Sequence, residues 1–179
     1  MKYKNGTFFI DKLSADKLAN KFGTPSYIYS EKKISENIDR FKKKFSTIKP
    51  LICFSVKSNA NKEILKIVNK KGLGADVVSK GEMERALKSG INPKKIVFSG
   101  VGKKRDEIKF AIKKNILLIN AESINEIKEI EKIAKSEKKR IKVGIRLNPD
   151  TDAKTLSLIS TGKKENKFGV NNNQFKSIL

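Results

Sequence analysis

Three side chains have the type and the position to do chemistry. Lys57, Asp76 and Arg146 each lie in, or at the end of, a short apolar run. A lysine amine, once deprotonated, can form a Schiff base with a carbonyl compound. Arginine binds anions through a fork of N–H donors, and a carboxylate inside an apolar run requires a polar partner. These residues are candidates for a small-molecule site if the fold brings them together.

Six short apolar runs alternate with amphipathic helical stretches. They begin 20–26 residues apart, which fits one strand–helix unit each and therefore a parallel sheet. The predicted strands are Ser26–Ser30, Ile52–Lys57, Ala75–Ser79, Ile96–Gly100, Ile116–Ala121 and Ile141–Leu147. A further short strand is predicted at Thr7–Ile10, before a helix over about Ser14–Phe22.

Strand alternation places Lys57 on the inner side of its run. Cys53, Ser55 and Lys57 share one side, and the larger apolar residues share the other and should face the helices. Lys57 would then lie at the carboxyl rim of a barrel, partly removed from water, where the neutral amine is favoured. The alternative is a lysine whose head simply reaches solvent from a strand end.

Arg146 and Asp76 each have two interpretations. The same alternation places Gly144 and Arg146 inward and turns Val143 and Ile145 towards the helices. Arg146 would bind an anionic ligand or cofactor, or form a structural ion pair. Asp76 would orient a cofactor, or pair with a neighbouring lysine.

The helices carry start and stop signals of their own. Serine followed three residues later by glutamate, as in Ser79–Glu82 and Ser123–Glu126, predicts a capping box. Glycines at positions 23, 72 and 90 stand where helices should end.

A strand–helix repeat of this length forms a doubly wound sheet or part of a (β/α)8 barrel. A complete barrel needs about 250 residues, whereas the chain has 179. The last segment, Asn172–Leu179, has a helical pattern and no strand follows it. We therefore expect an α/β fold with a partial (β/α)8 TIM barrel over residues 24–179, not yet closed, after an N-terminal strand and short helix over residues 1–23.

The net charge of +22 by itself favours nucleic acid as a partner. Only five of the 41 basic residues are arginine, and the lysines are spread along the chain without interleaved aromatic rings. Single-strand binders use such rings to stack bases, so no specific nucleic-acid function is expected.

Several classes conflict with the composition. The chain has no histidine and one cysteine, which argues against a zinc site or a disulfide framework. No apolar run approaches the ~18 residues of a membrane span, and no apolar core follows the basic start, so we expect a cytoplasmic protein. The loop Ser99–Lys104 lacks the spacing of a phosphate-binding loop and is expected to be an ordinary rim loop.

Six motifs occur in the order found in one enzyme family. They are Thr24–Ser30 (TPSYIYS), Phe54–Asn59 (FSVKSN), Gly74–Ser79 (GADVVS), Phe98–Lys103 (FSGVGK), Arg146–Asp150 (RLNPD) and the loop Asp152–Gly169, with DAKT, ISTG and KENKFG. On these motifs the chain resembles the N-terminal part of the diaminopimelate decarboxylases, pyridoxal-phosphate enzymes with the alanine-racemase type of barrel. The loop is the most specific motif, because related decarboxylases and alanine racemase share the barrel and the lysine motif without it.

The resemblance implies roles for individual residues. Lys57 matches the lysine that holds pyridoxal 5′-phosphate covalently, Asp76 an acidic residue near the cofactor ring, and Arg146 an arginine of the cofactor pocket. Lys167 matches a lysine near the pocket and the subunit interface. The family often has histidine at the position of Leu156, so the role of that position stays open.

The resemblance also implies a reaction, the decarboxylation of meso-2,6-diaminopimelate to L-lysine and CO2 by a homodimer. Several of the family's catalytic and cofactor-binding groups, and a C-terminal β-domain with which Thr7–Ile10 would pair, lie beyond residue 179. This chain alone is therefore expected to be inactive. The alternatives are a related decarboxylase acting on ornithine, arginine or carboxynorspermidine, or a non-catalytic pyridoxal-phosphate-binding protein.

Overall fold

The computed structural model describes residues 2–149, 151, 168–171 and 175. Contacts divide the chain into two compact units, Met1–Pro50 and Leu51–Leu179. The predictions for residues 152–167, which include Leu156 and Lys167, lie outside the described residues, as does most of the helix predicted at Asn172–Leu179. The expected domain division at residues 23 and 24 stays a prediction.

The first unit contains a small antiparallel sheet and two helices. Its elements are β1 (Lys2–Lys4), β2 (Thr7–Ile10), β3 (Leu13–Ser14), α1 (Ala15–Phe22) and α2 (Glu31–Lys44), with sheet order β1-β2-β3. The Thr7–Ile10 strand and the helix after it were predicted correctly. The strand pairs with β1 and β3 inside its own unit.

The predicted strand at Ser26–Ser30 is wrong, because this segment makes no strand pairing. Tyr27 and Tyr29 are 91% and 53% exposed. Ser30 is instead committed to a helix start: its hydroxyl donates to the Asp11 carboxylate at 2.8 Å and accepts the Lys33 amide of α2 at 3.0 Å. Alternation of apolar and polar residues predicts an extended backbone. A strand also needs a neighbouring strand whose backbone N–H and C=O groups are free to pair with it.

The second unit is a five-stranded parallel sheet whose strands follow chain order, β4-β5-β6-β7-β8. The strands are β4 (Cys53–Ser55), β5 (Gly74–Val77), β6 (Ile96–Phe98), β7 (Leu118–Ala121) and β8 (Lys142–Ile145). The helices between them are α3 (Lys62–Lys70), α4 (Lys80–Lys88), α5 (Arg105–Lys114) and α6 (Ile124–Ser136). The expected parallel α/β fold of barrel type is confirmed, with an open sheet of five strands in the described residues.

One face of this sheet forms the core with the helices. Its residues Ala75, Val77, Phe98, Ile119 and Ala121 are 0% exposed, and apolar side chains of all four helices are buried with them. The opposite face carries the intervening residues of the strands. Because parallel strands share one direction, the residues that follow their carboxyl ends meet at one edge of the sheet.

In the predicted capping boxes at α4 and α6, the serine bonds as expected, but the glutamate carboxylate binds the backbone amide of the residue before the serine. At α6 the Ser123 hydroxyl accepts the Glu126 amide at 3.2 Å, as predicted. The Glu126 carboxylate accepts the amide of Glu122, one residue ahead of the serine, at 2.7 Å. At α4 the arrangement is the same, and each glutamate therefore ties its helix to the strand end before it.

Candidate active site

A cavity of about 680 Å³ lies at the carboxyl edge of the parallel sheet. All five strands contribute to its lining, either from their last residues or from the residues just after them. Its polar lining residues are Lys57, Asp76, Ser99, Asn120, Glu122 and Arg146. The fold thus brings together the three described residues that the sequence singled out, and adds three more.

Lys57 reaches the cavity from a single turn of 3-10 helix, Val56–Ser58, that follows β4. The turn is closed by the Asn59 amide, which donates to the Val56 carbonyl at 3.0 Å. The Lys57 side chain is exposed and forms no hydrogen bond or ion pair with the side chain or backbone of another described residue. The predicted partial burial of Lys57 is therefore wrong, because the strand ends at Ser55 and the turn carries the amine beyond the sheet.

Asp76 belongs to a row of hydrogen bonds that crosses three strands. Its carboxylate accepts a bond from the Ser99 hydroxyl at 2.6 Å, and the same hydroxyl oxygen accepts from the Asn120 side-chain amide at 3.0 Å. The row runs from β7 past β6 to β5 along the floor of the cavity. Within the described residues the partner of Asp76 is this serine rather than a lysine, so the pairing considered from sequence is wrong.

The pKa of the Cys53 thiol is sensitive to the charge of Asp76. Burial raises the pKa of the Cys53 thiol, and the negative charge of Asp76 raises it further. The thiol is half-buried on β4, next to β5, and its Sγ lies 3.7 Å from the Lys95 carbonyl oxygen. Cys53 is therefore a small, partly buried residue, and the pKa of its thiol depends on the charge of Asp76 in the site.

Arg146 forms the structural ion pair that the sequence offered as one interpretation, while its binding of an anionic ligand stays a prediction. It lines the cavity, and its guanidinium donates to the Glu122 carboxylate, with Nη1 3.2 Å and 3.5 Å from the two oxygens. Its guanidinium carbon lies 5.0 Å from the centre of the Phe168 ring. The arginine is thus held in place by a carboxylate and an aromatic face while remaining accessible from the cavity.

The alternation predicted for the last strand is confirmed by its register. Gly144 pairs with Asn120, whose side chain lines the cavity together with Arg146. Val143 and Ile145 pair with Ile119 and Ala121, which belong to the face of the sheet that packs against the helices. Val143 is still 39% exposed, and Ile145 also borders the cavity, because β8 is the edge strand of the described sheet.

The segment 168–170 returns to the end of β8 beside Arg146. The Val170 amide donates to the Arg146 carbonyl at 2.8 Å, and the Asn148 amide donates to the Val170 carbonyl at 2.8 Å. Gly169 has a φ of 78°, and a Cβ there would lie 2.7 Å from the Arg146 carbonyl oxygen. This close approach requires glycine and fixes Phe168 against the arginine.

Two charged residues of the site were missed by sequence reasoning. Glu122 is buried directly after β7, and its place after a strand end was an available signal. The Lys103 ammonium is buried at the ends of β6 and β7, although the loop that carries it was interpreted as an ordinary one. Glu122 binds Arg146, and Lys103 holds the backbone on which the site is built.

Two general features bear on the function. Among the described residues, no cluster of three or more histidine, cysteine, aspartate or glutamate side chains could hold a metal ion. None of the described helices combines the length and apolar character needed to cross a membrane.

Comparison with known proteins places the chain in a family. A sequence model described as pyridoxal-dependent decarboxylase, pyridoxal binding domain, matches residues 31–179. Diaminopimelate decarboxylase from Helicobacter pylori (strain J99) is 50% identical over 155 residues, 87% of this chain and 38% of the relative. The enzyme of the same name from Haemophilus influenzae is 43% identical over 98% of this chain and 42% of its own length.

The solved structures agree with the sequence comparison. The crystal structure of diaminopimelate decarboxylase from M. jannaschii in co-complex with L-lysine has a TM-score of 0.90 and 40% identity, over 99% of this chain and 43% of that one. The resemblance to the N-terminal part of diaminopimelate decarboxylases, inferred from the motifs, is confirmed. The chain spans about two fifths of the length of the relatives it matches.

The fold, the cavity at its carboxyl edge and the match to residues 31–179 all agree on the family of the chain. The chain belongs to the pyridoxal-dependent decarboxylases, of which it is a pyridoxal-binding domain, and its cofactor is pyridoxal 5′-phosphate.

Proposed function

We propose that the protein to which this chain belongs decarboxylates meso-2,6-diaminopimelate to L-lysine and CO2. The observation that carries the proposal is the exposed Lys57 amine, which opens into the same cavity as Asp76 and Arg146. It is supported by relatives that carry this enzyme's name at 43–50% identity and by a similar structure solved in co-complex with L-lysine.

The residues of the cavity suit pyridoxal 5′-phosphate. The volume of about 680 Å³ lies in the range of small-molecule sites, about 300–1,000 Å³. An amine without a partner among the described residues is available to bind an aldehyde, and Arg146 adds positive charge for an anionic molecule. Ser99, Asn120 and Asp76 add hydrogen-bonding groups that are already ordered by one another.

Each side chain then has a role in binding and orientation. Lys57 would hold the cofactor through its aldehyde carbon. Arg146, fixed by Glu122, would bind an anionic group, and Asp76, fixed by Ser99, would orient the ring. When bound, the cofactor supplies the electron sink that decarboxylation requires. The protein's contribution at this end of the site is to keep these groups in register before the substrate arrives.

Residues beyond this chain belong to the proposal as well. Because the chain spans about two fifths of its relatives, we assign the activity to a protein of the relatives' length and expect residues 1–179 alone to be inactive. We further propose that this protein is a cytoplasmic homodimer without a specific nucleic-acid partner. Lys167 is proposed to lie near its pocket and interface.

The proposal is tested by substrate choice. CO2 release is measured for the protein of the relatives' length with meso-diaminopimelate, ornithine, arginine and carboxynorspermidine, each at the same concentration. We expect turnover of meso-diaminopimelate to L-lysine to exceed that of the others, and Lys57→Ala to abolish it. Faster turnover of ornithine, arginine or carboxynorspermidine would instead support the related-decarboxylase alternative.

A further inference from the structure

A buried ammonium lies behind the cavity. The Lys103 side chain is 1% exposed, and its Nζ donates to the Gly100 carbonyl at 2.6 Å, the Asn120 carbonyl at 2.6 Å and the Glu126 carboxylate at 2.9 Å. The Glu126 side chain is 12% exposed. Lysine is almost never buried in this way unless its charge is paired and its donors are used. All three donors of Lys103 are used here.

The ion pair of Lys103 and Glu126 holds a short stretch of backbone from two sides. Lys103 binds the carbonyl of Asn120, and the second carboxylate oxygen of Glu126 accepts the amide of Glu122 at 2.7 Å. The backbone at the end of β7 is therefore fixed at residues 120 and 122. The side chains of these two residues both line the cavity.

From this stretch two chains of contacts lead to the candidate cofactor-binding residues. In the first chain, the Asn120 side-chain amide donates to the Ser99 hydroxyl, and that hydroxyl donates to the Asp76 carboxylate. Lys103 also binds the carbonyl of Gly100, the residue that follows this serine. Glu122 accepts from the Arg146 guanidinium. Lys103 and Glu126 themselves are not among the described residues that line this cavity.

We propose that Lys103 and Glu126 are positioning residues of the cofactor site, and that their buried ion pair sets the places of both Asp76 and Arg146. The proposal deepens the proposed function, on which its consequence for cofactor binding rests. The pair acts through the backbone at the end of β7 and through the loop after β6, so its removal should leave the helices folded and loosen the side chains that face the cavity.

The test uses the double variant Lys103→Met/Glu126→Gln, because removing both charges avoids leaving a buried carboxylate without its partner. The matched control is Lys109→Met/Glu137→Gln, which removes an exposed lysine and its partner, 2.8 Å apart, from α5 and the end of α6. Folding is checked by circular dichroism. If the double variant does not fold, Glu126→Gln alone, which keeps Lys103 and its two carbonyl acceptors, replaces it.

The readout is the pH midpoint for alkylation of Cys53 in the cofactor-free chain, which has this cysteine alone. Ser99 draws the Asp76 carboxylate towards β6, on the far side of β5 from Cys53. Releasing the carboxylate allows it to approach the thiol. We expect the midpoint to rise by about 0.5 pH unit, a fraction of the ~1–3 units that a charge within ~4–6 Å produces.

A comparison in the Asp76→Asn background shows whether the effect passes through Asp76. We expect the shift to disappear there and the Lys109→Met/Glu137→Gln control to show none. An unchanged midpoint in the folded double variant, or an equal shift in the Asp76→Asn background, would overturn the proposal.

A second readout, in the protein of the relatives' length, is the concentration of pyridoxal phosphate that half-saturates capture at Lys57. We expect it to rise about tenfold in the double variant, since a misplacement of ~1 Å at a site can cost up to about a hundredfold. Unchanged capture would contradict the proposal. If the unsubstituted protein of that length captures no cofactor, the proposed function fails, and the Cys53 comparison in the present chain still decides the positioning role.

Discussion

The carboxylate of Glu122 and the guanidinium of Arg146 form an ion pair whose members are unequally buried. The glutamate side chain is 5% exposed and the arginine side chain 39%, with 3.2 Å between Nη1 and the nearer oxygen. Water can replace the partner of the arginine but hardly that of the glutamate. Substitutions on the two sides of the pair should therefore have different costs.

Arg146→Met is expected to lower the free energy of unfolding by about 2–3 kcal/mol, because it leaves the buried Glu122 carboxylate without a partner. Glu122→Gln should cost about 1 kcal/mol, since the amide still accepts a bond and the arginine can turn to solvent. Urea denaturation measures both. Lys135→Met is the control, because both members of its ion pair with Glu131 are exposed and the pair should contribute little to the free energy of unfolding. Equal losses for all three variants would contradict the asymmetry.

Gly144 on β8 lies directly beside Asn120 on β7. A Cβ at this position would collide with the Asn120 side-chain oxygen and meet Leu118 at 3.4 Å. Gly144→Ala should push Asn120 away from Ser99 and destabilise the chain by about 1–3 kcal/mol. At Gly81 in α4, an added Cβ would have its nearest neighbour, the Ser79 hydroxyl oxygen, at 3.9 Å. Gly81→Ala should therefore be neutral or stabilise the chain by up to ~1 kcal/mol. Thermal melts of the two variants compare them, and a loss at Gly81 equal to that at Gly144 would refute the steric explanation.

The parallel strand–helix units and the inward side of Arg146 could be predicted from sequence because both follow from local patterns. Spacing of the apolar runs indicates the units, alternation places Arg146 on the cavity side, and a carboxylate inside an apolar run singles out Asp76. The strand predicted at Ser26–Ser30 is wrong because pairing depends on distant chain. Lys103 and Glu126 are 23 residues apart, so no local pattern connects them, and one buried lysine looks like the many exposed ones.

The thiol of Cys53 should be slow to react at neutral pH. Burial first, and the Asp76 charge second, raise its pKa, so the thiolate fraction is low. Asp76→Asn removes the second cause and should lower the midpoint of the alkylation profile and speed alkylation at any pH below it. Asp106→Asn, at an exposed carboxylate of α5, should leave the profile unchanged.

The same thiol gives the stability of the chain a pH dependence in the alkaline range. Because the folded pKa is raised, the stabilisation from the protonated thiol is complete below the unfolded pKa and is lost as the pH rises through the folded pKa. Cys53→Ser should reduce this alkaline slope in urea titrations. A slope unaffected by Cys53→Ser would contradict the assignment.

The charge of +22 should produce weak and sequence-independent retention of DNA. Retention measured on two unrelated duplexes should be equal and should fall steeply with salt, because it depends on released counterions. A preference of tenfold or more for one sequence at physiological salt would contradict the absence of a specific nucleic-acid partner.

The most direct test of the account is whether Lys57 captures the cofactor. The chain is incubated with pyridoxal phosphate, reduced with borohydride, digested and mapped by mass spectrometry. We predict one dominant labelled peptide, with the label on Lys57, and loss of that label in Lys57→Ala but not in Lys62→Ala, which removes an exposed lysine at the start of α3. Label spread over the surface lysines, with Lys57 no more labelled than Lys62, would contradict the assignment of the site.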